Sequence, residues 1–282
     1  MTSNGEQGRE AETATGPQLA PAPFEPRRFQ TAAAHYLRGR PPYPMRLIRQ
    51  VAMLAGLGAG DRVLDLGCGP GQLAAGFAAL AGEVLAVDPE PEMLRRAEEL
   101  AGKTGRVTFR RGSSYDVGPG FGRFRLVTMG RSFHWMDREE TLRRLDQLVE
   151  PGGAVALFSD RHPELPENAW HDPFLAITRH FGGENPAKGR FRHTGVLLGS
   201  AFSALDGISV IERRQVRVES LIDRAFSMSS TSPGKLGERA AVMQAALCGL
   251  LQAYAVDGLV TEVVAVWALV GRRPHEVAEA QA

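Results

Sequence analysis

Nine consecutive residues, Val63-Leu64-Asp65-Leu66-Gly67-Cys68-Gly69-Pro70-Gly71, constrain this chain more than any other stretch. A short apolar run stops at alternating glycines, and Gln72 to Leu80 then carries apolar residues at helical spacing. A buried strand that turns through glycine into a helix opens a β-α-β unit. Gly67 and Gly69 let the backbone come close to a ligand where a Cβ would collide. In an open α/β sheet, the crevice beyond the strand ends is where ligands bind.

The rest of the chain continues this alternation. Strands are predicted at 61–66, 84–87, 107–109, 126–129 and 155–158, the last entered through Pro151-Gly152-Gly153. Helices are predicted at 72–80 and 91–101, where Met93, Leu94, Ala97 and Leu100 share a face, and around Leu142, Leu145 and Leu148. Such short apolar strands suit a parallel sheet covered by helices on both faces. Ahead of the glycine turn, Tyr36 lies in a short helical segment, the Arg40-Pro41-Pro42-Tyr43-Pro44 run is stiff and extended, and Leu47, Ile48, Val51 and Leu54 mark another helix.

Residues 1–25 hold almost no large apolar group and are expected to form a disordered tail, leaving 26–282 as the folded domain. Residues 160–206 lose the clean period and are expected to form a lid or substrate-facing insertion. Its one predicted helix carries Trp170, Phe174, Ile177 and Phe181, which either line an apolar pocket or pack as helix core. A long strand at 208–219, a helix over 234–256 behind Ser232-Pro233, and a strand at 263–270 after Asp257-Gly258 complete the expected elements.

Composition narrows the function. A formal net charge of +1 gives no basic field to steer a nucleic acid. The two cysteines, Cys68 and Cys248, form no disulfide framework or Cys-x-x-Cys pair. The start of the chain shows no secretory signal, and the apolar stretch at 263–270 is too short to span a bilayer. A cytoplasmic location and a monomer or homodimer are the expectations.

The ligand is read from the carboxylates. A dinucleotide-binding turn spaces its glycines as G-x-G-x-x-G to cradle a pyrophosphate. Here residue 72, the third position of that pattern, is glutamine, and Asp65 stands where a carboxylate repels phosphate and attracts an ammonium. Asp88 ends the next strand, where it can accept hydrogen bonds from both ribose hydroxyls of a nucleoside. Met93 offers an apolar surface for adenine or serves as helix core. Ser114 and Asp116 follow the third strand, within reach of the exocyclic amine of a base, although Asp116 can equally cap its own loop. A nucleoside bearing an amino acid and no phosphate fits this set.

These residues resemble the class I S-adenosylmethionine-dependent methyltransferase superfamily, particularly its small-molecule branch similar to trans-aconitate, ubiquinone-pathway and biotin-pathway methyltransferases. The likeness rests on Tyr36-x-x-x-Arg40-Pro41-x-Tyr43-Pro44, Val63 to Gly71, Val87-Asp88-Pro89 with Met93-Leu94, Phe133-His134-Trp135, and Val149-x-Pro151-Gly152-Gly153. It covers residues 28–160 well and 208–273 more weakly. The resemblance implies a mostly parallel, Rossmann-like seven-stranded sheet of order 3-2-1-4-5-7-6, with strand 7 antiparallel and a helical lid. It also implies that the Gly67 to Gly71 loop wraps the methionine moiety of S-adenosylmethionine, Asp88 holds the ribose, and Tyr36 with Arg40 closes over the cofactor. Together the two readings put Tyr36, Arg40, Asp65, Gly67, Cys68, Gly69, Gly71, Asp88, Pro89, Met93, Ser114 and Asp116 around the cofactor.

Three positions depart from relatives: Tyr115 where many carry an acid, Phe124-Arg125 where Phe-Asp is common, and Arg131 where small or uncharged residues are frequent. The reaction implied is an in-line methyl transfer to a small molecule. The protein must then align a nucleophile, exclude water and, for some acceptors, take a proton. His134 is the candidate base or orienting group, because it follows the fourth strand and histidine titrates near neutrality; packing beside Trp135 is its structural reading. Arg131 and Trp135 are candidate substrate contacts, with an ion pair to Glu139 or Glu140 as the competing role for Arg131. The intervals among His162, His171, His180 and His193 suit no compact metal motif, so no metal is expected. Two further readings stay open: a cofactor-binding homologue with regulatory or negligible catalytic activity, and an NAD-dependent oxidoreductase.

Overall fold

The computed structural model describes residues 29–183 and 193–274. The expected tail at 1–25 lies outside the described residues. The chain begins with helices α1 (Ala33–Gly39) and α2 (Met45–Leu54), then alternates β1 (Arg62–Leu66), α3 (Gln72–Phe77), β2 (Glu83–Asp88), α4 (Pro91–Ala101), β3 (Val107–Arg111), β4 (Phe124–Gly130), α5 (Arg138–Asp146) and β5 (Val149–Arg161). It continues with α6 (His171–Gly182), α7 (Thr194–Leu198), β6 (Ala204–Arg217), α8 (Val218–Phe226), α9 (Pro233–Leu236), α10 (Arg239–Gln252), β7 (Ala255–Val256) and β8 (Leu259–Arg272).

The strands form one sheet of order β3-β2-β1-β4-β5-β8-β6, with β7 pairing only β8. β1 to β5 are mutually parallel, and β8 runs antiparallel to both β5 and β6. This is the order the resemblance implies, with one strand more than the seven expected. The addition is a hairpin in which Ala255 opposes Val260 and Val256 opposes Leu259. Asp257 (φ 52°) and Gly258 (φ 73°) close it. Two consecutive positive φ values match the right-handed twist of paired strands, and Asp-Gly adopts them readily.

Successive residues of β1 face opposite sides of the sheet. Val63 packs with Leu47, Ile48, Val51, Leu73 and Phe77 under α2 and α3. Leu64 and Leu66 pack with Leu142, Leu145 and Leu148 under α5. All these side chains are buried, and each fully buried aliphatic or phenyl group contributes roughly 1.5–3 kcal/mol.

Of the boundaries that differ from expectation, three reshape the C-terminal part of the chain. The helix expected over 234–256 breaks at Gly237 (φ 57°), which separates α9 from α10. The final strand extends to Leu259–Arg272 because its whole length pairs with β6. The strand expected to run to 219 ends at Arg217, and α8 follows directly. Val218, Leu221, Ile222 and Ala225 are buried at helical spacing, a period that the preceding alternation of Val216 and Val218 conceals.

A helical layer of α1, α6, α8 and α10 roofs the C-terminal ends of the parallel strands. Its core joins Trp170 and Phe174 of the α6 region to Leu221, Ala225, Met243 and Leu247, so these two aromatics are helix core rather than pocket lining. Asp223 of α8 pairs with His35 and Arg38 of α1. Below the roof, fully buried Glu262 of β8 binds His162 Nε2 at 2.6 Å and pairs with Arg214 and Arg224. Arg224 also donates to the Gly39 carbonyl at 2.8 Å, tying α1, α8 and β8 together. Among the described residues, no helix is long and apolar enough to cross a membrane.

Candidate functional site

The ends of β1, β2, β4 and β5 and the helical roof enclose a cavity of about 880 Å³. Its floor is the glycine turn. Gly67, Gly69 and Gly71 take φ values of 68°, 53° and 79°, in the left-handed region that favours glycine. The amides of Gly67 and Cys68 both donate to the Val87 carbonyl, at 2.8 and 3.0 Å, fastening the turn to the end of β2.

The three glycines do different work. A Cβ on Gly67 would stand 2.6 Å from Ser132 Cβ, so this residue lets the turn pack under the β4 loop. A Cβ on Gly71 would meet Ala97 Cβ at 2.9 Å, so Gly71 lets α3 start against α4. Gly71 does not line the cavity, a correction to its place in the expected cofactor set. Gly69 has no atom within 4 Å of its Cβ position; it faces open cavity.

Both carboxylates are buried and already hold part of the turn. Asp65 accepts from the Thr128 hydroxyl at 2.9 Å and from the Ala74 amide at 3.0 Å, capping the first turn of α3 from the neighbouring strand. Asp88 accepts from the Gly69 amide at 2.8 Å and the Glu90 amide at 2.9 Å. Burial pushes Asp65 up to about 7 and Asp88 up to about 6, against which these hydrogen bonds act. Both line the cavity and retain lone pairs, so a donor-rich or cationic ligand would relieve their desolvation. Burial also holds the Cys68 thiol well above its ordinary range, so it stays protonated beside them.

On the side expected for adenine, Pro89, Met93, Ser113, Ser114 and Tyr115 line the cavity. Asp116 does not. Its carboxylate accepts from the Ser113 amide at 2.7 Å and hydroxyl at 2.8 Å, closing its own loop. Those bonds hold its pKa below the usual carboxylate range, and the loop-capping reading replaces the adenine contact.

Tyr36 and Arg40 reach the cavity from the end of α1. The Arg40 guanidinium lies 5.6 Å from the Tyr36 ring centre, and its Nε donates to Ser227 Oγ at 2.8 Å. Burial lowers the Arg40 pKa.

The turn after β4 supplies the opposite wall. Ser132 Oγ donates to the Leu66 carbonyl at 3.0 Å, and Phe133–Trp135 form one tight turn. His134 is buried, with its ring 4.9 Å from that of Trp135, and both line the cavity.

Arg131 is not the open fork expected for an acidic substrate. Its Nε pairs with Asp160 at 2.5 Å, its Nη2 donates to the Pro41 carbonyl at 2.7 Å, and its Nη1 reaches Gln72 Oε1 at 3.4 Å. It also lies 4.4 Å from the Tyr43 ring centre. Glu139 and Glu140, the partners weighed from sequence, are not its partners; Arg131 locks the end of β5 to the Pro41 to Tyr43 wall. The pairing lowers Asp160 against its desolvation.

The far side of the cavity was not read from sequence. Leu175, Thr178 and Arg179 of α6, Met228 to Ser230 after α8, Ser159 to Arg161, His193 and Trp267 all line it. The helical period of α6 could have nominated Leu175 and Arg179, which lie off the Phe174 side of the helix, with Thr178 between the two. Among the described residues, no group of three or more His, Cys, Asp or Glu is placed to hold a metal ion.

Comparison with known proteins fits this geometry. Residues 63–153 match a family described as a methyltransferase domain. An uncharacterized methyltransferase of Mycobacterium tuberculosis is 30% identical over 129 residues, which are 46% of this chain and 50% of that protein. The chain thus matches about half the length of such curated relatives. A SAM-dependent methyltransferase from Thiobacillus denitrificans, solved in complex with S-adenosyl-L-homocysteine, shares the fold at TM-score 0.53 and 21% identity, covering 88% of this chain and 99% of that one. The YcgJ protein of Bacillus subtilis does so at TM-score 0.54 and 20% identity, covering 82% and 100%.

Proposed function

We propose that this chain, whose residues 63–153 match a methyltransferase domain family, is a class I S-adenosylmethionine-dependent methyltransferase acting on a small molecule. One observation carries the reading. The Gly69 backbone, pinned by the Asp88 carboxylate, opens onto a cavity that runs without interruption to His134.

The residues suit the cofactor. Asp88 offers its free lone pairs to the ribose hydroxyls, and Asp65 with the Gly67 to Gly69 backbone faces the amino-acid end. Pro89, Met93 and Ser114 flank the adenine, while Tyr36 and Arg40 close the roof. When bound, S-adenosylmethionine supplies an electrophilic methyl group on a sulfonium. The chain's own contribution is to orient the acceptor and keep water out under the α6 and α8 roof. His134 touches the acceptor from the β4 turn, beside Trp135. Arg131 acts at one remove by fixing the wall formed by Asp160 and Tyr43. The acceptor is no nucleic acid, and the protein works in the cytoplasm as a monomer or homodimer.

A screen with methyl-labelled S-adenosylmethionine and a panel of phenols, alcohols, amines and carboxylic acids tests this function. Label transferred to a panel member, with one S-adenosylhomocysteine formed per product, is expected. His134→Ala should lower that turnover more than it lowers cofactor affinity. Binding of S-adenosylhomocysteine with no transfer to any acceptor would instead favour a cofactor-binding homologue without catalysis.

A further inference from the structure

The charges that line the cavity are sorted by position. Asp65, Asp88 and Glu90 stand at the ends of β1 and β2, and the one other lining carboxylate among the described residues, Asp160, is paired with Arg131. On the far side, past the end of the parallel ladder, Ser159 and Arg161 of β5, Trp267 of β8 and Arg179 of α6 line the same cavity. Antiparallel pairing sets Ser159 opposite Trp267 and Arg161 opposite Ala265. Ser159, Arg161 and Trp267 therefore share one face of the sheet, the face on which Leu157 and Leu269 pack with Phe133 of the β4 turn.

All four side chains carry hydrogen-bond donors, and among the described residues none of these donors has a protein partner. They are open to a ligand. Arg161 and Arg179 are exposed, Ser159 and Trp267 are half-buried, and neither the Ser159 hydroxyl nor the Trp267 indole nitrogen is sealed from solvent. Two uncompensated guanidiniums, a hydroxyl and an indole N–H in one cavity wall make a set of donors that lacks an acceptor. An oxyanion supplies one, through charge-assisted hydrogen bonds that a guanidinium fork favours.

Resting on the methyltransferase reading above, we propose that the methyl acceptor carries an oxyanion, a carboxylate or phosphate, bound by Arg161, Arg179, Ser159 and Trp267, and is methylated on a different atom. β5 and β8 lie two and three strands from β1, which is roughly 10 and 14 Å at the usual strand spacing. The anchored group is thus set back from the glycine turn, and its lone pairs are engaged by cations, which makes it a poor nucleophile. A phenol, alcohol or amine on the same molecule takes the methyl. Its new bond to carbon forms as the sulfur–carbon bond breaks, S-adenosylhomocysteine leaves with the sulfur electron pair, and the acceptor's proton passes to water. An anionic acceptor is also drawn toward the sulfonium.

A labelled-methyl panel tests the proposal with phenols, alcohols and amines, each prepared as a carboxylate, a phosphate and a neutral amide. The parent is expected to methylate the hydroxyl or amine of an anionic member with kcat/KM at least about tenfold above its amide; which anion serves better identifies the oxyanion. Arg161→Gln and Arg179→Gln are each expected to lower that anion-to-amide ratio by about tenfold or more, the loss of a hydrogen bond between charged groups, while binding S-adenosylhomocysteine within about twofold of the parent. Arg161→Lys and Arg179→Lys keep the charge and are expected to recover part of the ratio. Equal use of anion and amide would overturn the proposal, as would an unchanged ratio in both glutamine variants. So would a methyl ester as product, no transfer to any panel member, or variants that lose cofactor binding in step with turnover. Failure of the parent to bind S-adenosylhomocysteine would instead remove the methyltransferase reading itself.

Discussion

Replacing Asp88 by asparagine should weaken S-adenosylhomocysteine and also remove a pH dependence from its binding. In the free protein the Asp88 carboxylate accepts the Gly69 and Glu90 amides, and burial raises its pKa to about 6. It is therefore about nine-tenths ionised at pH 7 and about one-tenth ionised at pH 5. Ribose hydroxyls bind the ionised form best, so the parent should lose about tenfold in affinity between pH 7 and pH 5 through this group. Asparagine keeps one acceptor oxygen but no charge. Losing a hydrogen bond to a charged group costs about 1.5–3 kcal/mol, or roughly ten- to 150-fold in Kd at pH 7. Titration calorimetry at pH 5, 6 and 7 reads both effects, because the ligand's own amine and carboxylate do not titrate in that range. Asp65 contributes its own share in both proteins, so the difference between them isolates Asp88. If the two proteins give the same Kd and superimposable pH profiles, the ribose assignment is refuted.

Two other perturbations separate ligand contact from architecture. Gly71→Ala drives a Cβ against Ala97 at a φ of 79°, so its melting temperature should fall by several degrees; Gly69→Ala meets no atom, so its penalty should be limited to about 1 kcal/mol of backbone strain while S-adenosylhomocysteine affinity drops. Thermal melts with parallel affinity titrations check the pair, and equal melting losses would contradict the division of roles. Asp65, raised to about 7 from 3.8, contributes stability that is fully present below about pH 4 and is lost as pH rises through about 7. Between pH 6.5 and 8, above the range where the lowered His171 and His193 titrate, the unliganded parent should lose melting temperature and Asp65→Asn should show a flatter slope. Parallel slopes in the two proteins would show that Asp65 does not titrate there.

The parts legible in sequence are those that local chemistry determines. An apolar β1 running into glycines has few alternatives, and the carboxylates at the ends of β1 and β2 mark the crevice because strand ends converge there. What sequence could not supply is the choice between partners of equal chemistry. Asp116 could face a base or its own loop, and only the placement of the Ser113 hydroxyl decides for the loop. Arg131 had carboxylates close by in sequence, yet its partner Asp160 lies on the next strand, brought alongside by parallel pairing of Gly130 with Phe158. All three glycines share a left-handed backbone, but whether a neighbour or a ligand sits over each depends on α4 and the β4 turn. The roof was least legible. Alternating valines run directly into α8, and in α6 core and cavity residues adjoin, with Thr178 beside Phe174 and Leu175 touching both core and cavity.

The central claim is that the Gly67 to Gly69 turn and Asp88 form a site for an adenosylated amino acid rather than for a dinucleotide pyrophosphate. Calorimetric titration of the purified chain with S-adenosylhomocysteine and, separately, with NAD tests it most directly. One S-adenosylhomocysteine bound per chain, weakened by Asp88→Asn, with no heat from NAD, is the predicted result; NAD binding without S-adenosylhomocysteine binding would contradict it.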